Sequence, residues 1–173
     1  MIKLENFVLE KIDIRNPKHI NLIKQFDNDA LVKKYLYPYK ESFYDMVLDN
    51  DMSDFLFNSF YIINYQDRIV GYVEIKNIKD VDINYALLKS ERNKGIATLF
   101  LKELSSYLLK ECQDQIMSVN TIIRKENIPS INASKKAMFK LYKEDSKFET
   151  YRKTKCNWKK IMYDMIENER FIN

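Results

Sequence analysis

One glycine, Gly95, constrains the fold of this chain more than any other residue, because it stands between an apolar run and a long periodic segment. Only two of the 173 residues are glycine, so each marks a place where the backbone needs steric freedom. Gly95 follows the apolar run Ile83–Leu88 and directly precedes the periodic segment. At such a strand-to-helix junction the first amides of the helix converge on an anion, and the helix dipole adds to the attraction. The sequence therefore predicts a phosphate-bearing ligand that is held by backbone.

The segment after Gly95 has the clearest helical periodicity in the chain. Its apolar side chains recur at the three- and four-residue spacings of one helix face, and they are Ile96, Leu99, Phe100, Leu104, Tyr107 and Leu108. Glu103 is a single break in this stripe, which Ala97 and Leu101 widen on one side. The pattern predicts a long helix that begins directly after Gly95.

Strand-like and helix-like segments alternate along the rest of the chain. Runs of β-branched and aromatic residues predict strands at Phe7–Ile14, Phe60–Asn64, Arg68–Ile78, Val81–Leu88, Ser118–Ile123, Phe148–Arg152 and Trp158–Met165. Residues 65–67 predict a hairpin turn between the second and third of these strands. Helix-start residues and apolar spacing predict further helices at Asn16–Phe26, Asp29–Tyr35, Glu41–Leu48 and Asn127–Phe139. This order predicts a mixed α/β sheet.

The length and the scarcity of metal ligands narrow the class of protein. The 173 residues suit one domain, and we expect residues 1–173 to form it. His19 is the only histidine, and Cys112 and Cys156 are the only cysteines, too few for a zinc site or a disulfide framework. No apolar run approaches the roughly 18 residues of a membrane span, and the first residues lack a signal-peptide pattern. We therefore expect a metal-free cytoplasmic protein that neither spans a membrane nor uses a Ser-His-Asp triad.

Charge is unevenly distributed along the chain. Residues 27–54 contain seven acidic side chains and three lysines, whereas residues 124–160 contain twelve basic and four acidic side chains. Two faces of opposite sign would suit a cationic substrate and an anionic cofactor. The alternative is that both are ordinary solvated surfaces, which is what charge runs usually are.

Two short motifs resemble those of a known enzyme family. Arg92-Asn93-Lys94-Gly95-Ile96-Ala97 resembles the (Gln/Arg)-x-x-Gly-x-(Gly/Ala) motif of the GNAT superfamily of N-acetyltransferases. Residues 127–130 (Asn-Ile-Pro-Ser), with Lys136 and Phe139, resemble the second signature of that family, in the version found in Rim-type ribosomal-protein N-terminal acetyltransferases. The resemblance implies a single α/β (α+β) domain with a mixed, largely antiparallel sheet of about six or seven strands flanked by helices.

The resemblance also implies a set of residues that hold acetyl-coenzyme A. The loop would bind the pyrophosphate, and the second motif would contact the thioester end. The strand before the loop would splay from its neighbour and pair with the pantetheine arm through its backbone. The predicted cofactor residues are Tyr85, Ala86, Leu87, Leu88, Arg92, Asn93, Lys94, Gly95, Ile96, Ala97, Thr98, Asn127 and Ser130. We expect Gly95 and Ala97 to keep bulk away from the ligand, and we expect Arg92 and Lys94 either to add positive charge near the phosphates or to face solvent.

Direct attack of an amine on a thioester needs a base for the ammonium proton and a donor for the departing thiolate. Ser130 is the candidate donor, with a helix-cap role as its alternative. Many members of the family use a tyrosine seven residues after the motif asparagine, where this chain has Ser134. Asp82, ten residues before Arg92, is the first candidate base, and Glu74 is the second; either could instead be an exposed strand charge.

The acceptor is predicted only by class. By resemblance, the region of roughly Asn28–Asp54 walls the acceptor groove, and it is acidic and rich in aromatic residues: Tyr35, Tyr37, Tyr39, Phe43 and Tyr44. Carboxylates and aromatic faces favour a cationic amine, such as a polyamine, an amino sugar or a protein N-terminus. A coenzyme-A-binding sensor or scaffold without turnover is the alternative, and a nucleic-acid binder using the basic region is less favoured. Both a monomer and a homodimer are compatible with the sequence.

Overall fold

The protein is built on one eight-stranded sheet with four α-helices, as seen in a computed structural model that describes residues 1–13, 15–36, 59–111 and 115–155. The strands are β1 (Ile2–Lys3), β2 (Phe7–Lys11), β3 (Ser59–Tyr65), β4 (Arg68–Lys76), β5 (Asp80–Leu87), β6 (Ser118–Arg124), β7 (Lys140–Glu144) and β8 (Phe148–Thr154). The helices are α1 (Pro17–Asp27), α2 (Ala30–Leu36), α3 (Ile96–Glu111) and α4 (Ile128–Lys136). The strand and helix predicted at Trp158–Met165 and Glu41–Leu48 lie outside the described residues.

The sheet is mixed and largely antiparallel, which confirms the predicted fold class. Its strand order is β1-β2-β3-β4-β5-β6-β8-β7, and β5 and β6 form its parallel pair. Eight strands are present instead of six or seven. The strands β1 and β7 were not predicted, because β1 has two residues and all five residues of β7 are exposed, so neither shows the alternation that identifies a half-buried strand.

Helices cover both faces of the sheet and create two hydrophobic cores. On one face α3 and α4 pack on the sheet, with Phe100, Leu104 and Ile131 in the larger core. On the other face α1 and α2 contribute Phe26 and Val32 to a smaller core. The central strands therefore alternate between two buried faces, which explains why β4 reads as a nearly continuous apolar run.

The predicted long helix after Gly95 is confirmed as α3, and its interrupted apolar stripe has a structural reason. Phe100, Leu104 and Leu108 are completely buried along the predicted face. Glu103, the break in the stripe, accepts a hydrogen bond at 2.9 Å from the backbone amide of Asn6 in the turn between β1 and β2. A carboxylate at this position links the helix to the edge of the sheet and leaves the core apolar.

Candidate functional site

The parallel strands β5 and β6 separate after a short paired stretch and leave a wedge in the sheet. Their pairing covers Asp80–Ser118, Val81–Val119 and Asp82–Asn120, although β5 continues to Leu87 and β6 to Arg124. A cavity of about 720 Å³ fills the wedge, lined by the unpaired halves of both strands, the loop before α3, and residues of α2, α3 and α4. Edge-like backbone in this wedge can pair with an extended ligand as it would with a strand.

Gly95 gives the loop before α3 its shape. Its φ of +80° lies in the left-handed region, as does the φ of +62° at Asn93, and such angles strain most residues other than glycine. A Cβ built on Gly95 would meet no protein atom within 4 Å, so the backbone angle, not crowding, requires glycine here. The first amides of α3, from Ile96 to Thr98, have no partner within the helix, and these residues line the cavity. The loop thus offers converging amides at the positive end of a 16-residue helix.

Arg92 is committed to an ion pair. Its Nη2 lies 2.6 Å from Oδ2 of Asp29, and its Nε donates to the carbonyl of Leu87 at 3.0 Å. Asp29 also caps α2 by accepting from the amides of Leu31 and Val32 at 2.9 and 3.2 Å. Burial alone would raise the pKa of Asp29, but these hydrogen bonds and the charge of Arg92 together lower it. Arg92 therefore fastens the loop to α2, and a contact with phosphate stays a prediction.

Lys94 and Leu88 are the predicted cofactor residues that the cavity lining does not include. Lys94 is 3.3 Å from the buried carboxylate of Glu91, which Arg68 also contacts at 3.2 Å. The amide of Leu88 donates to the carbonyl of Val70 on β4 at 2.9 Å. The other predicted residues line the cavity: Tyr85, Ala86, Leu87, Arg92, Asn93, Gly95, Ile96, Ala97, Thr98, Asn127 and Ser130.

Gly71, the other glycine of the chain, lies on β4 and allows close packing against the cavity-lining strand β5. A Cβ on Gly71 would lie 2.2 Å from the carbonyl oxygen of Ala86 and 3.1 Å from Cα of Leu87. It sits beside a register shift between β3 and β4, after Ile63, as glycine often does where two backbones approach closely. The sequence offered one signal for this position, the rarity of glycine itself.

Ser130 and Tyr85 form a hydroxyl pair on the cavity wall. Ser130 lies in the first turn of α4, where its amide is 3.4 Å from Oδ1 of the capping Asn127. Its side chain interacts with the phenol of Tyr85, which packs against Phe100 with ring centroids 6.3 Å apart. Burial of the phenol outweighs this interaction and raises the pKa of Tyr85 to about 12. Tyr85 is therefore neutral at physiological pH and able to donate a proton in a hydrogen bond.

Ser134 does not line the cavity. Its side chain is completely buried and its Oγ is 3.1 Å from Oγ1 of Thr121 on β6. This position packs α4 against the sheet, and it is not part of the cavity lining.

The two candidate bases lie on the sheet face that α1 and α2 cover, and neither lines the cavity. Asp82 accepts hydrogen bonds from the side-chain amides of Asn77 at 2.9 Å and Asn120 at 3.1 Å. Glu74 is 4% exposed, with Nζ of Lys76 at 2.8 Å and Nδ2 of Asn84 at 3.0 Å. Asn84 itself lines the cavity, so it connects Glu74 to the wedge.

The predicted acceptor region is described only as far as residue 36. Leu31, Val32 and Tyr35 of α2 line the cavity, and the Tyr35 hydroxyl is 3.4 Å from the carbonyl of Glu126 across the wedge. The remaining aromatic and acidic residues of that prediction lie outside the described residues: Tyr37, Tyr39, Phe43 and Tyr44.

The described part of the chain contains neither a metal-ligand cluster nor a membrane-spanning helix. Across residues 1–13, 15–36, 59–111 and 115–155, no three His, Cys, Asp or Glu side chains cluster as a metal site requires. Within the same ranges no helix combines the length and apolarity needed to cross a bilayer. The wedge, the amide-rich loop and the cationic lining together suit a phosphate-bearing ligand with an extended arm.

Comparison with known proteins gives one family match and a fold shared with solved structures. The profile of the acetyltransferase (GNAT) domain matches residues 12–140. Among solved structures, Campylobacter jejuni N-acetyltransferase PseH in complex with acetyl coenzyme A is 14% identical, with a TM-score of 0.65 over 87% of this chain and 99% of that one. No curated protein matches the sequence.

Two further solved structures illustrate the range of similar proteins. Spermidine N-acetyltransferase from Vibrio cholerae, in complex with CoA and spermine, is 14% identical with a TM-score of 0.67 over 86% of this chain and 95% of that one. RimL, a ribosomal L7/L12 alpha-N-protein acetyltransferase in complex with coenzyme A, is 17% identical with a TM-score of 0.71 over 88% and 98%. Similar scores for such different enzymes support the fold and single out no subfamily, so closeness to the Rim type stays a prediction.

Proposed function

Because this chain belongs to the acetyltransferase (GNAT) family, we propose that it transfers the acetyl group of acetyl-coenzyme A to a primary amine. The observation that carries this proposal is the union of an amide-rich loop at Gly95 and a splayed strand pair in one cavity. Bound acetyl-coenzyme A supplies an activated thioester, at which the amine forms a C–N bond as the C–S bond breaks. The remaining work is positioning and proton transfer by this chain's own groups.

The loop and β5 would hold the donor through their backbone. The amides of residues 93–98 would bind the pyrophosphate, since they converge at the start of α3. Ala97 keeps the first turn narrow where a larger side chain would enter the cavity. Residues 85–87 would pair with the pantetheine arm, because among the described residues β5 has no strand partner on its β6 side beyond Asp82. The amide of Leu88 is already bonded to the carbonyl of Val70.

Ser130 would donate the proton that the departing thiolate takes up. It lies on the cavity wall and its side chain interacts with the phenol of Tyr85, which stays protonated at neutral pH. Tyr85 would orient the Ser130 hydroxyl, and its phenol proton could replace the proton that Ser130 donates. This pair would replace the tyrosine that the chain lacks at Ser134.

We propose Glu74 or Asp82 as the group that receives the ammonium proton through water. Glu74 has the better connection, because its partner Asn84 lines the cavity. Asp82 has one hydrogen bond from an asparagine amide on each of its oxygens. Glu74→Gln and Asp82→Asn separate the two: the variant of the true base loses the acidic limb of the pH–rate profile, and the other keeps it.

The acceptor is an amine whose identity the named relatives leave open, since one acts on spermidine and another on a protein N-terminus by their names. Thiol release from acetyl-coenzyme A should therefore be measured across polyamines, amino sugars, amino acids and N-terminal peptides. Amine-dependent release is the expected result. Binding of acetyl-coenzyme A without release from any amine would favour a sensor, which the packing role of Ser134 makes the second candidate.

Gly95→Val tests the donor site directly. Valine at a φ of +80° is a steric outlier, so the loop should change conformation and acetyl-coenzyme A binding should fall by at least about 10-fold, given charge-assisted bonds of roughly 1.5–3 kcal/mol to the pyrophosphate. Ser90→Ala, in the exposed turn before the loop, is the matched control and should bind normally. Unchanged binding by a folded Gly95→Val protein, measured by calorimetry, would contradict the donor assignment.

Ser130→Ala and Tyr85→Phe test the proton donor. Loss of a general acid should lower kcat by roughly 100-fold in Ser130→Ala. Tyr85→Phe removes the phenol hydroxyl that would orient Ser130, and it should lower kcat by roughly 5-fold. The KM for acetyl-coenzyme A should change little in both variants. Tyr142→Phe, at an exposed position on β7, is the control. A normal kcat in Ser130→Ala would remove this residue from the mechanism.

A further inference from the structure

Arg124 is a cation on the cavity wall that has no anionic partner among the described residues. It ends β6, and its guanidinium carbon lies 5.2 Å from the centroid of the Phe148 ring. Its Nε is buried and makes no hydrogen bond with the part of the chain that the structure describes. A buried donor without an acceptor costs about 1–3 kcal/mol, so this position is unfavourable unless something else supplies the acceptor.

The other charged residues of the cavity wall differ from Arg124. Arg92 is paired with Asp29, and Glu91 is paired with Arg68 and Lys94. The remaining cation is Lys136 of α4, which is exposed. Among the described residues the cavity wall therefore carries an excess of positive charge. Of its two unpaired cations, Arg124 is partly buried and Lys136 is exposed.

The topology places Arg124 opposite the loop at Gly95. Because β5 and β6 are parallel, their carboxyl ends lie at the same edge of the sheet. The Gly95 loop follows the end of β5 and Arg124 is the end of β6, so the two line opposite walls of one cavity. A ligand whose phosphates lie against the loop has Arg124 across the wedge from them.

We propose that Arg124 binds a phosphate group of coenzyme A, as a second anion contact across the cavity from the Gly95 loop. This rests on the proposed function, because the ligand is its acyl donor. A guanidinium suits the role, since its planar set of N–H donors matches the oxygens of a phosphate. The cation–π contact with Phe148 helps to hold the guanidinium in place before the ligand arrives. The 3′-phosphate and the pyrophosphate share this chemistry, and the experiment distinguishes them.

The test is calorimetric titration of coenzyme A into the intact protein and two variants. Arg124→Met removes the charge and keeps an unbranched side chain against Phe148. Lys125→Met is the matched control, because the adjacent Lys125 pairs with Glu144 at 2.9 Å and does not line the cavity. Loss of a charge-assisted hydrogen bond should weaken binding roughly 10- to 100-fold in Arg124→Met and leave it unchanged in Lys125→Met. Arg124→Lys keeps the charge without the planar donor set, and it should fall between the two.

Dephospho-coenzyme A identifies the phosphate. If Arg124 contacts the 3′-phosphate, the wild-type protein and Arg124→Met bind dephospho-coenzyme A equally. If Arg124 contacts the pyrophosphate, Arg124→Met binds coenzyme A and dephospho-coenzyme A more weakly than the wild type by the same factor. Equal coenzyme A affinity of the wild type and a folded Arg124→Met protein would overturn the inference and leave the proposed function standing. Absence of coenzyme A binding by the wild type would overturn both.

Discussion

Arg92 and Asp29 show how a motif residue can act through a partner far along the chain. They are separated by 63 positions in the sequence, so no local pattern could have predicted their ion pair. The motif did predict that Arg92 belongs to the loop and lines the cavity. The motif could not predict that the guanidinium pairs with Asp29, because that contact depends on where α2 packs.

The pair makes stability depend on pH in a definite direction. The pKa of Asp29 is lower in the folded protein than its ordinary value of 3.8, so its contribution is fully present above the unfolded pKa and disappears as pH falls through the folded pKa. Asp29→Asn keeps a capping side chain and removes the charge. It should lower the free energy of unfolding by about 2 kcal/mol near pH 7, since the pair is mostly buried.

Urea unfolding near pH 7 and near pH 3 measures this effect. The difference between the wild type and Asp29→Asn should narrow at the lower pH, because pH 3 lies below the ordinary pKa of 3.8 and the stabilisation by the Asp29 charge is then being lost. Asp67→Asn, in the exposed turn between β3 and β4, is the control with no expected change. A difference that stays constant with pH would show that the charge of Asp29 is not the cause.

At the scale of elements, sequence patterns predicted individual helices and strands better than the exposed edge strand and the pairing between strands. The helix α3 and the hairpin of β3 and β4 were predicted because each has a strong period and a clear boundary: Gly95 for the helix, and Gln66 and Asp67, both with positive φ, for the turn. The strand β7 escaped prediction because all of its side chains are exposed, which removes the alternation on which strand prediction depends. The splay of β5 and β6 was expected from the family resemblance alone, because pairing partners are not written in either strand.

The two glycines should respond differently to the same substitution. Gly71→Ala places a Cβ 2.2 Å from the carbonyl oxygen of Ala86, so β4 and β5 must separate, at a cost of about 3 kcal/mol in unfolding free energy. In Gly95→Ala the new Cβ meets no neighbouring atom. The unfolding free energy should therefore fall only by the cost of alanine in a left-handed conformation, about 1–2 kcal/mol. Denaturant unfolding of both variants measures this order. A larger loss in Gly95→Ala would mean that crowding at Gly71 is relieved by movement of β5.

At the scale of the whole molecule, the sheet consists of two blocks joined at the parallel pair. The first block contains β1 to β5, the second contains β6 to β8, and three residue pairs connect them. The fold class followed from the order of strands and helices, whereas this division did not, because the sequence does not show where paired strands separate.

Coenzyme A should therefore protect the junction of the two blocks more than their interiors. Amides of residues 83–87 and 121–124 border the wedge and should exchange hydrogen more slowly with coenzyme A bound, since ligand binding stabilises the closed state. Amides paired between β2 and β3 are the internal control and should change little. Uniform protection across the sheet would contradict this division. Hydrogen exchange with mass spectrometry measures both sets together.

Each block is also one continuous stretch of chain, the first ending at Leu87 and the second beginning at Ser118. During synthesis the first block can form before the second has been made, and the wedge between them closes last. We therefore expect the acyl donor to govern how long the protein survives in the cell as well as how fast it works. When coenzyme A is scarce, more molecules expose the junction to proteases, so the abundance of the protein should follow the supply of its own substrate.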